Sequence, residues 1–402
     1  MSTLVSSPTA LAAITRRARQ CGLAAIDTEF VWTRTYYPVL GIIQIGLPDG
    51  EVHLIDAPAL TDTAPLAELL AAPDVVKILH DASGDLIILQ RLCGVQPRGV
   101  FDARLAAGFC GLGATLSLVK LLQALLGIEL AKTESRTDWL ARPLTPAQVE
   151  YATDDVRHMP EMYACLKARL HEYGNAAWAG EEMGVYDDPG LYTATAPRDA
   201  YRDVKGMGRL TSRQLNLLRE LTAWREQRAR DKDRPRGRIL RDDQLIDLAL
   251  RPPASLDAMR QGWWGRVREY RRDAEALWAC VAAAEQVPPE QWPRLPRNPL
   301  PSKVLKDRAD AVLALVRQHA EARGIDPTLV APRRHASSLV LAAARGRING
   351  HPLLQGWRGE LLSAALQPLL ASWPAVADTP ALFDVGGADS LEGDTVGTDV
   401  AG

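Results

Sequence analysis

The chain has 402 residues and a hydrophobic content of 47%, which is too long for one ordinary core and predicts two or three globular domains. No apolar run reaches the roughly 18 residues of a membrane-spanning helix, no leader-like segment opens the chain, and the five scattered cysteines form no C-x-x-C pair. A cytoplasmic protein is therefore expected, with no membrane partner, disulfide framework or zinc site. The net charge of −2 is uneven, because 14 basic and 6 acidic residues lie between Arg198 and Arg241, whereas six acids and no base follow Val376.

Strand and helix patterns alternate over the first third of the chain. Apolar runs predict strands at 22–27, 40–47, 51–55, 75–80 and near 98–101. Helical periodicity is found at 9–20, at 65–72, through Ile87 and Leu92, at 104–110 and at 115–126. This order of strands and helices predicts an α/β layered domain.

The remainder of the chain reads as helical. A segment at 181–200 without steady periodicity predicts a linker, and helical patterns follow at 211–230, 241–250, 255–260 and 266–284. Six prolines between Val287 and Pro301 predict a second, stiff linker before a further helical unit at about 303–370. The basic run from Arg198 to Arg241 is either a phosphate-binding surface or a solvated helix face.

Two acids end the first buried strand. Asp27 and Glu29 are two residues apart, so their side chains lie on one face of the strand while Thr28 lies on the other. Like charges so close need a proton, a base or a metal ion, or else a strand end that simply faces water. A third acid, Asp85, is predicted at a helix start, where the helix dipole alone could favour it, and Asp81 is its competitor for a metal role.

A fourth acid lies on a later helix. Thr145, Pro146 and Gln148 form a capping-box start, and Tyr151 and Asp155 follow four residues apart on one helix face. Pro160 predicts a break beyond Asp155. Four carboxylates without an accompanying cysteine suit Mg²⁺ or Mn²⁺ as hard oxygen ligands.

The order of these motifs resembles a known family. The sequence Ile26-Asp27-Thr28-Glu29-Phe30, then Asp85-Leu86, then the segment 151–155 is similar to the three motifs of the tyrosine-bearing branch of the DEDD exonuclease superfamily. Within that branch, the segment 134–144 most resembles the ribonuclease D family. The segments around Trp224-Arg225-Glu226 and 356–361 resemble helicase-and-RNase-D C-terminal (HRDC) domains.

The resemblance implies an α/β fold in which a ribonuclease H-like catalytic domain (1–195) is followed by two all-α HRDC domains (200–286 and 302–373). The acidic tail at 377–402 is expected to be disordered. The implied activity is that of a 3′-5′ exoribonuclease that releases nucleoside 5′-monophosphates from tRNA precursors with 3′ extensions, in tRNA 3′ maturation. Alternatives are a 3′-5′ DNA exonuclease and a non-catalytic scaffold that binds nucleic acid. A monomer without an obligate protein partner is expected.

The resemblance also implies roles for the site residues. Two divalent ions, Mg²⁺ or Mn²⁺, would be held by the four acids, with Asp27 bridging both ions, Glu29 and Asp155 completing one site and Asp85 serving the other. Tyr151 would orient the attacking water. Residues expected to contact nucleic acid are Thr28, Gln44, His80, Arg136, Trp139, Arg228, Lys232 and Arg236. His80 and Trp139 have structural alternatives, as a satisfied histidine and a core anchor.

Overall fold

The computed structural model describes residues 4–130, 137–261, 264–295 and 300–373. Its one sheet within these ranges has the order β3-β2-β1-β4-β5. Neighbours β1/β2 and β2/β3 are antiparallel, whereas β1/β4 and β4/β5 are parallel. The five predicted strands are confirmed, with bounds β1 (Leu23–Val31), β2 (Val39–Gly46), β3 (Val52–Asp56), β4 (Val76–Leu79) and β5 (Val100–Asp102).

Helices cover the sheet and form the rest of the chain. Those of the first unit are α1 (Pro8–Cys21), α2 (Ala64–Ala71), α3 (Ser83–Cys93), α4 (Ala103–Gly108), α5 (Leu118–Leu126), α6 (Pro146–Arg157), α7 (Met159–Glu172) and α8 (Ala176–Met183). The middle unit has α9 (Ser212–Asp231), α10 (Arg236–Ile239), α11 (Asp242–Leu250), α12 (Leu256–Arg260), α13 (Arg268–Arg272) and α14 (Ala274–Glu285). The last has α15 (Ser302–Ala322), α16 (Pro327–Val330), α17 (Arg333–Ala344) and α18 (Gly356–Ala371). None of these helices is both long enough and apolar enough to cross a membrane.

Two glycines of β2 bring neighbouring segments close to the sheet. A Cβ atom at Gly41 would lie 2.5 Å from the Trp139 carbonyl oxygen, and one at Gly46 would lie 2.6 Å from the Val156 carbonyl oxygen. Side chains cannot be accommodated at such distances. Glycine at these positions therefore allows α6 to lie directly on the sheet beside β1 and β2.

The last helical unit shares the core of the α/β unit, whereas the middle unit has a core of its own. The Trp357 ring packs edge to face on Phe109 with ring centroids 4.9 Å apart. Its indole nitrogen donates to Glu182 at 2.8 Å, and Arg358 donates two further hydrogen bonds to the same carboxylate. The segment 356–361, which carries the HRDC resemblance, therefore docks on α8.

The segment predicted as a linker at 181–200 is more ordered than expected. Its first residues complete α8, and Tyr186, which is buried, donates its hydroxyl hydrogen to Asp102 at the end of β5. The linker prediction was wrong for this part, because hydrogen bonding and burial of one aromatic ring fix a segment that lacks helical periodicity.

The middle helical unit contacts the loop that follows β1. The Tyr36 hydroxyl donates to Glu226 at 2.8 Å, and Asp233 accepts a hydrogen bond from the Tyr36 backbone N–H at 3.0 Å. Arg230 and Arg236 lie over the Tyr36 ring with centroid distances of 5.7 and 5.5 Å. This contact holds the middle unit next to the strand that carries Asp27 and Glu29.

Candidate active site

Three of the four predicted acids meet at one point. Asp27 and Glu29 lie on one face of β1, and α6 covers that face and supplies Asp155. Ligand oxygens of Asp27, Glu29 and Asp155 all lie within 4.8 Å of one another. The predicted alternation along β1 and the predicted start of α6 are both confirmed, since Thr145 and Gln148 form both hydrogen bonds of the capping box.

The fourth acid, Asp85, lies in the first turn of α3, beside this cluster. Its carboxylate accepts a hydrogen bond from the Thr28 hydroxyl, which comes from the opposite face of β1. Asp81, the predicted competitor, is exposed and forms an ion pair with Arg104. These contacts favour Asp85 over Asp81 for the fourth position, which stays a prediction.

Burial raises the pKa of all four acids, and the charges of nearby acids add to it. Burial, followed by the charges of Asp85, Asp155 and Glu29, raises the pKa of Asp27 well above its usual range. Burial raises the pKa of Glu29 to about 9, with Asp155 contributing next, and raises those of Asp85 and Asp155 to about 7. No Lys or Arg forms an ion pair with these four acids among the described residues. Carboxylates brought together without a counter-charge are the donor set that a divalent cation stabilises.

Tyr151 lies one helical turn before Asp155, as predicted. Burial, followed by the charges of Asp155 and Glu29, raises the pKa of its hydroxyl above the ordinary value. The phenol therefore stays protonated at neutral pH and is suited to orient a water molecule by a hydrogen bond. The centroid of the Tyr151 ring lies 6.0 Å from that of the buried Trp139 ring.

Asp102 was not identified from the sequence, yet it organises the start of α3. Its buried carboxylate accepts the backbone N–H groups of Asp81 and Ala82 at 3.2 and 3.0 Å, and that of Arg104 at 2.8 Å. It thus ties the turn before Asp85 to the end of β5. The sequence signal was an aspartate directly before a helix, which is a common N-cap.

Three residues expected to contact nucleic acid are buried. Trp139 is 1% exposed and belongs to the core between the sheet and α6. It therefore acts as a core anchor, which was the alternative to a contact with nucleic acid. Thr28 is buried and donates to Asp85, and Gln44 is fully buried opposite Asp27. The burial of Trp139 and Gln44 contradicts their predicted contacts with nucleic acid, because α6 and the 137–143 loop cover this face of β2. The predicted contact of Thr28 stays a prediction, with its hydroxyl engaged by Asp85. Arg136 lies outside the described residues.

His80 is held by the protein itself. Its Nε2 atom contacts the Leu116 carbonyl oxygen at 3.0 Å, and burial lowers the pKa of the ring below its ordinary value. A neutral ring that donates to a backbone carbonyl is a histidine whose hydrogen bonding is satisfied within the fold. The structure therefore favours a structural role for His80 over a contact with phosphate.

Much of the basic run is neutralised within the protein. Arg228 pairs with Asp273 at 3.2 Å, and Arg236 pairs with Glu226 at 2.8 Å beside Tyr36. Of the three predicted phosphate contacts in this run, Lys232 alone is exposed without an ion pair among the described residues. The sequence could not reveal these pairings, because each joins two structural elements: Glu226 lies on α9 and Arg236 on α10, and Asp273 directly precedes α14.

A basic cleft remains beside this run. It has a volume of about 600 Å³ and is lined chiefly by arginines, with Glu269 as its one acid. The arginines are Arg234, Arg238, Arg241, Arg268 and Arg272, of which Arg241 pairs with Asp243 and Arg272 pairs with Asp273. Nearer the acids, Trp32 follows the end of β1 and is 54% exposed. Arg234 and Arg238 belong to the basic run that was predicted to bind phosphates, whereas Arg268 and Arg272 come from a distant segment that the sequence did not connect with it. Trp32 was not identified from the sequence.

Four acids and a tyrosine converging on one mixed sheet define a 3′-5′ exonuclease of the DEDD class, which depends on divalent metal ions. The sequence profile of a 3′-5′ exonuclease family matches residues 3–171, and that of the HRDC domain matches residues 214–281. The match confirms the first predicted HRDC domain. The second, at 302–373, stays a prediction.

Relatives match nearly the whole chain. Ribonuclease D of Desulfotalea psychrophila is 35% identical over 364 residues, which cover 89% of this chain and 96% of the relative. Ribonuclease D of Pseudomonas paraeruginosa is 38% identical over 350 residues, or 87% and 92% of the two chains. The crystal structure of Escherichia coli RNase D, described as an exoribonuclease involved in structured RNA processing, aligns with a TM-score of 0.83 and 33% identity over 93% of this chain and 100% of that one. The chain therefore belongs to the ribonuclease D family and is a 3′-5′ exoribonuclease.

Proposed function

We propose that this enzyme shortens the 3′ tails of tRNA precursors one nucleotide at a time, releasing nucleoside 5′-monophosphates with the help of two Mg²⁺ or Mn²⁺ ions. The observation that carries the proposal is the group formed by Asp27, Glu29 and Asp155, whose ligand oxygens lie within 4.8 Å of one another, with Asp85 beside it. Two ions held there would neutralise the scissile phosphate and favour ionisation of the attacking water.

The protein's own residues would do the remaining work. Asp27, Glu29 and Asp155 would hold the ions, which would supply positive charge beside the phosphate. The Tyr151 hydroxyl orients the water for attack on phosphorus, while the bond from phosphorus to the 3′ oxygen breaks. Attack at this position leaves the phosphate on the 5′ carbon of the released nucleotide.

The RNA behind the 3′ end would lie along the basic cleft of the middle helical unit. Arg234 and Arg238 line that cleft, and Arg236 lies between them in the sequence. Arg236 in turn contacts Tyr36 on the loop after β1. The cleft is thus tied to the end of the strand that carries the acids. Trp32, exposed near the same end of β1, offers a surface on which a base can stack.

A tRNA with a short 3′ extension and a label in the terminal nucleotides tests the proposal. We expect labelled nucleoside 5′-monophosphates in Mg²⁺ or Mn²⁺ and no release in chelator. The same tail in DNA should be degraded more slowly, because DNA lacks the 2′-hydroxyl by which a protein can distinguish RNA from DNA. Internal cleavage, release of 3′-monophosphates, or preference for the DNA tail would contradict the proposal.

A further inference from the structure

Gln44 is a buried polar residue that the activity does not yet explain. It lies in the middle of β2 and is 0% exposed. Its Oε1 and Nε2 atoms are both inaccessible to solvent, and neither has a hydrogen-bond partner among the described residues. A buried amide without a partner destabilises a fold, so its presence here calls for a partner that Gln44 contacts in another state of the site.

The strand register identifies what Gln44 faces. Its direct partner in β1 is Asp27, and its direct partner in β3 is Leu54. Directly opposed residues of antiparallel strands share a face, with Cβ atoms about 5 Å apart. The Gln44 side chain therefore projects from the same face as the Asp27 carboxylate.

The neighbours of Gln44 on β2 and β3 are apolar. Ile42 lies two residues away on the same strand, and Leu54 and Ala152 from β3 and α6 pack with it in one cluster. The position two residues beyond Gln44 is Gly46, which has no side chain. Across the two adjacent strands, the one polar group that Gln44 directly opposes is therefore the Asp27 carboxylate.

Asp85 accepts a hydrogen bond from a side-chain donor, whereas Asp27 has none among the residues that the structure describes. Asp85 is oriented by the hydroxyl of Thr28, whereas the hydrogen bond to the Asp27 carboxylate comes from the backbone of Thr28. Residues that donate to a metal-ligating carboxylate fix its direction and commonly change metal affinity 10- to 100-fold.

We propose that Gln44 is a positioning residue whose amide donates to the Asp27 carboxylate when the site is loaded with metal. This inference rests on the proposed metal-dependent function. In the metal-free protein the amide is left without a partner, and in the loaded protein it holds Asp27 in the direction that metal binding requires. Gln44 thus lowers the stability of the empty protein and raises its affinity for the ion.

The test compares Gln44→Met and Gln44→Leu with the matched control Ile42→Met, which changes a buried residue on the same face of the same strand. Melting temperatures are measured in chelator and across a Mn²⁺ titration. Both Gln44 variants should melt in chelator at or above the wild-type temperature, because an unpaired amide is replaced by an apolar group. The Mn²⁺ concentration that gives half of the stabilisation should rise about 10-fold for both variants and stay within about twofold for Ile42→Met.

The alternatives give different results. A lower melting temperature in chelator with an unchanged Mn²⁺ midpoint would make Gln44 an ordinary structural residue and overturn the inference. Equal Mn²⁺ midpoints in wild type and both Gln44 variants would do the same while leaving the proposed function intact. A wild-type protein that Mn²⁺ does not stabilise would instead refute the proposed metal site, and the inference with it.

Discussion

Replacing Asp155 by asparagine should make the metal-free protein more stable at alkaline pH. Burial and the neighbouring acids raise the pKa of Asp155 from its usual value of 3.8 to about 7. When a group binds its proton more tightly in the folded protein than in the unfolded chain, the folded protein loses stability as the pH rises. The loss begins at the pKa of the group in the unfolded chain and is complete above its pKa in the folded protein. The penalty therefore grows between about pH 4 and pH 7 and is complete above that range.

The size of the effect follows from the same shift. One pKa unit corresponds to about 1.36 kcal/mol, so a rise from 3.8 to about 7 costs the metal-free wild type at most about 4 kcal/mol at pH 8. The asparagine side chain has a similar shape and no charge, so Asp155→Asn should recover a large part of that free energy. Near pH 4 the two proteins should be equally stable.

Urea unfolding in chelator at a series of pH values measures this difference directly. In excess Mn²⁺ the order should reverse, because the variant loses a ligand and the wild type gains the stabilisation of the bound ion. Glu150→Gln is the matched control, since Glu150 lies on the same helix but is exposed to solvent. A variant that is less stable than wild type at pH 8, or a difference that does not depend on pH, would refute the electrostatic explanation of the site.

Three further changes separate the roles of individual groups. Tyr151→Phe should lower kcat by about 100-fold while the stabilisation by Mn²⁺ is retained, because the phenol orients water without holding the ion; loss of Mn²⁺ binding would argue against that role. Thr28→Val removes the donor to Asp85, so the Mn²⁺ concentration for half-maximal activity should rise about 10-fold, and no change would show that Asp85 does not need the hydrogen bond. The double variant Arg238→Ala, Arg268→Ala should bind a single-stranded tail with a weaker salt dependence. The slope of log K against log[salt] should become shallower by about 1.4, or about 0.7 for each lost phosphate contact. An unchanged slope would show that the RNA does not follow this cleft.

The sequence was informative where one local rule decides the outcome. Alternation along β1 placed Asp27 and Glu29 on one face, and the capping box fixed where α6 begins and hence where Asp155 lies. These features depend on neighbours in the chain. The resemblance to a family then joined three short motifs that were weak one by one.

The sequence failed where the outcome depends on distant partners. Gln44 and Trp139 have residue types that often contact nucleic acid, yet the glycines of β2 let α6 and the adjoining loop bury both. Arg228 and Arg236 belong to a basic run, but Asp273 and Glu226 neutralise them across helix contacts. Long-range pairing of this kind leaves no periodic signal in one sequence.

The docking of the middle helical unit was likewise hidden. Tyr36 belongs to no motif that would have predicted its role. In the structure its hydroxyl connects the loop after β1 to Glu226 on α9 and Arg236 on α10. The segment around Trp357 was identified by its resemblance, but its packing against Phe109 and Glu182 could not be predicted from periodicity.

The number of Mn²⁺ ions bound per chain in the presence of a nucleoside 5′-monophosphate tests the central claim most directly. Calorimetric titration should give two ions for the wild type. Asp27→Asn should weaken both sites, because Asp27 is assigned to bridge them, whereas Asp85→Asn should weaken one and leave the other. A wild type that binds no Mn²⁺, or an Asp27→Asn variant that binds two ions with unchanged affinity, would contradict the account.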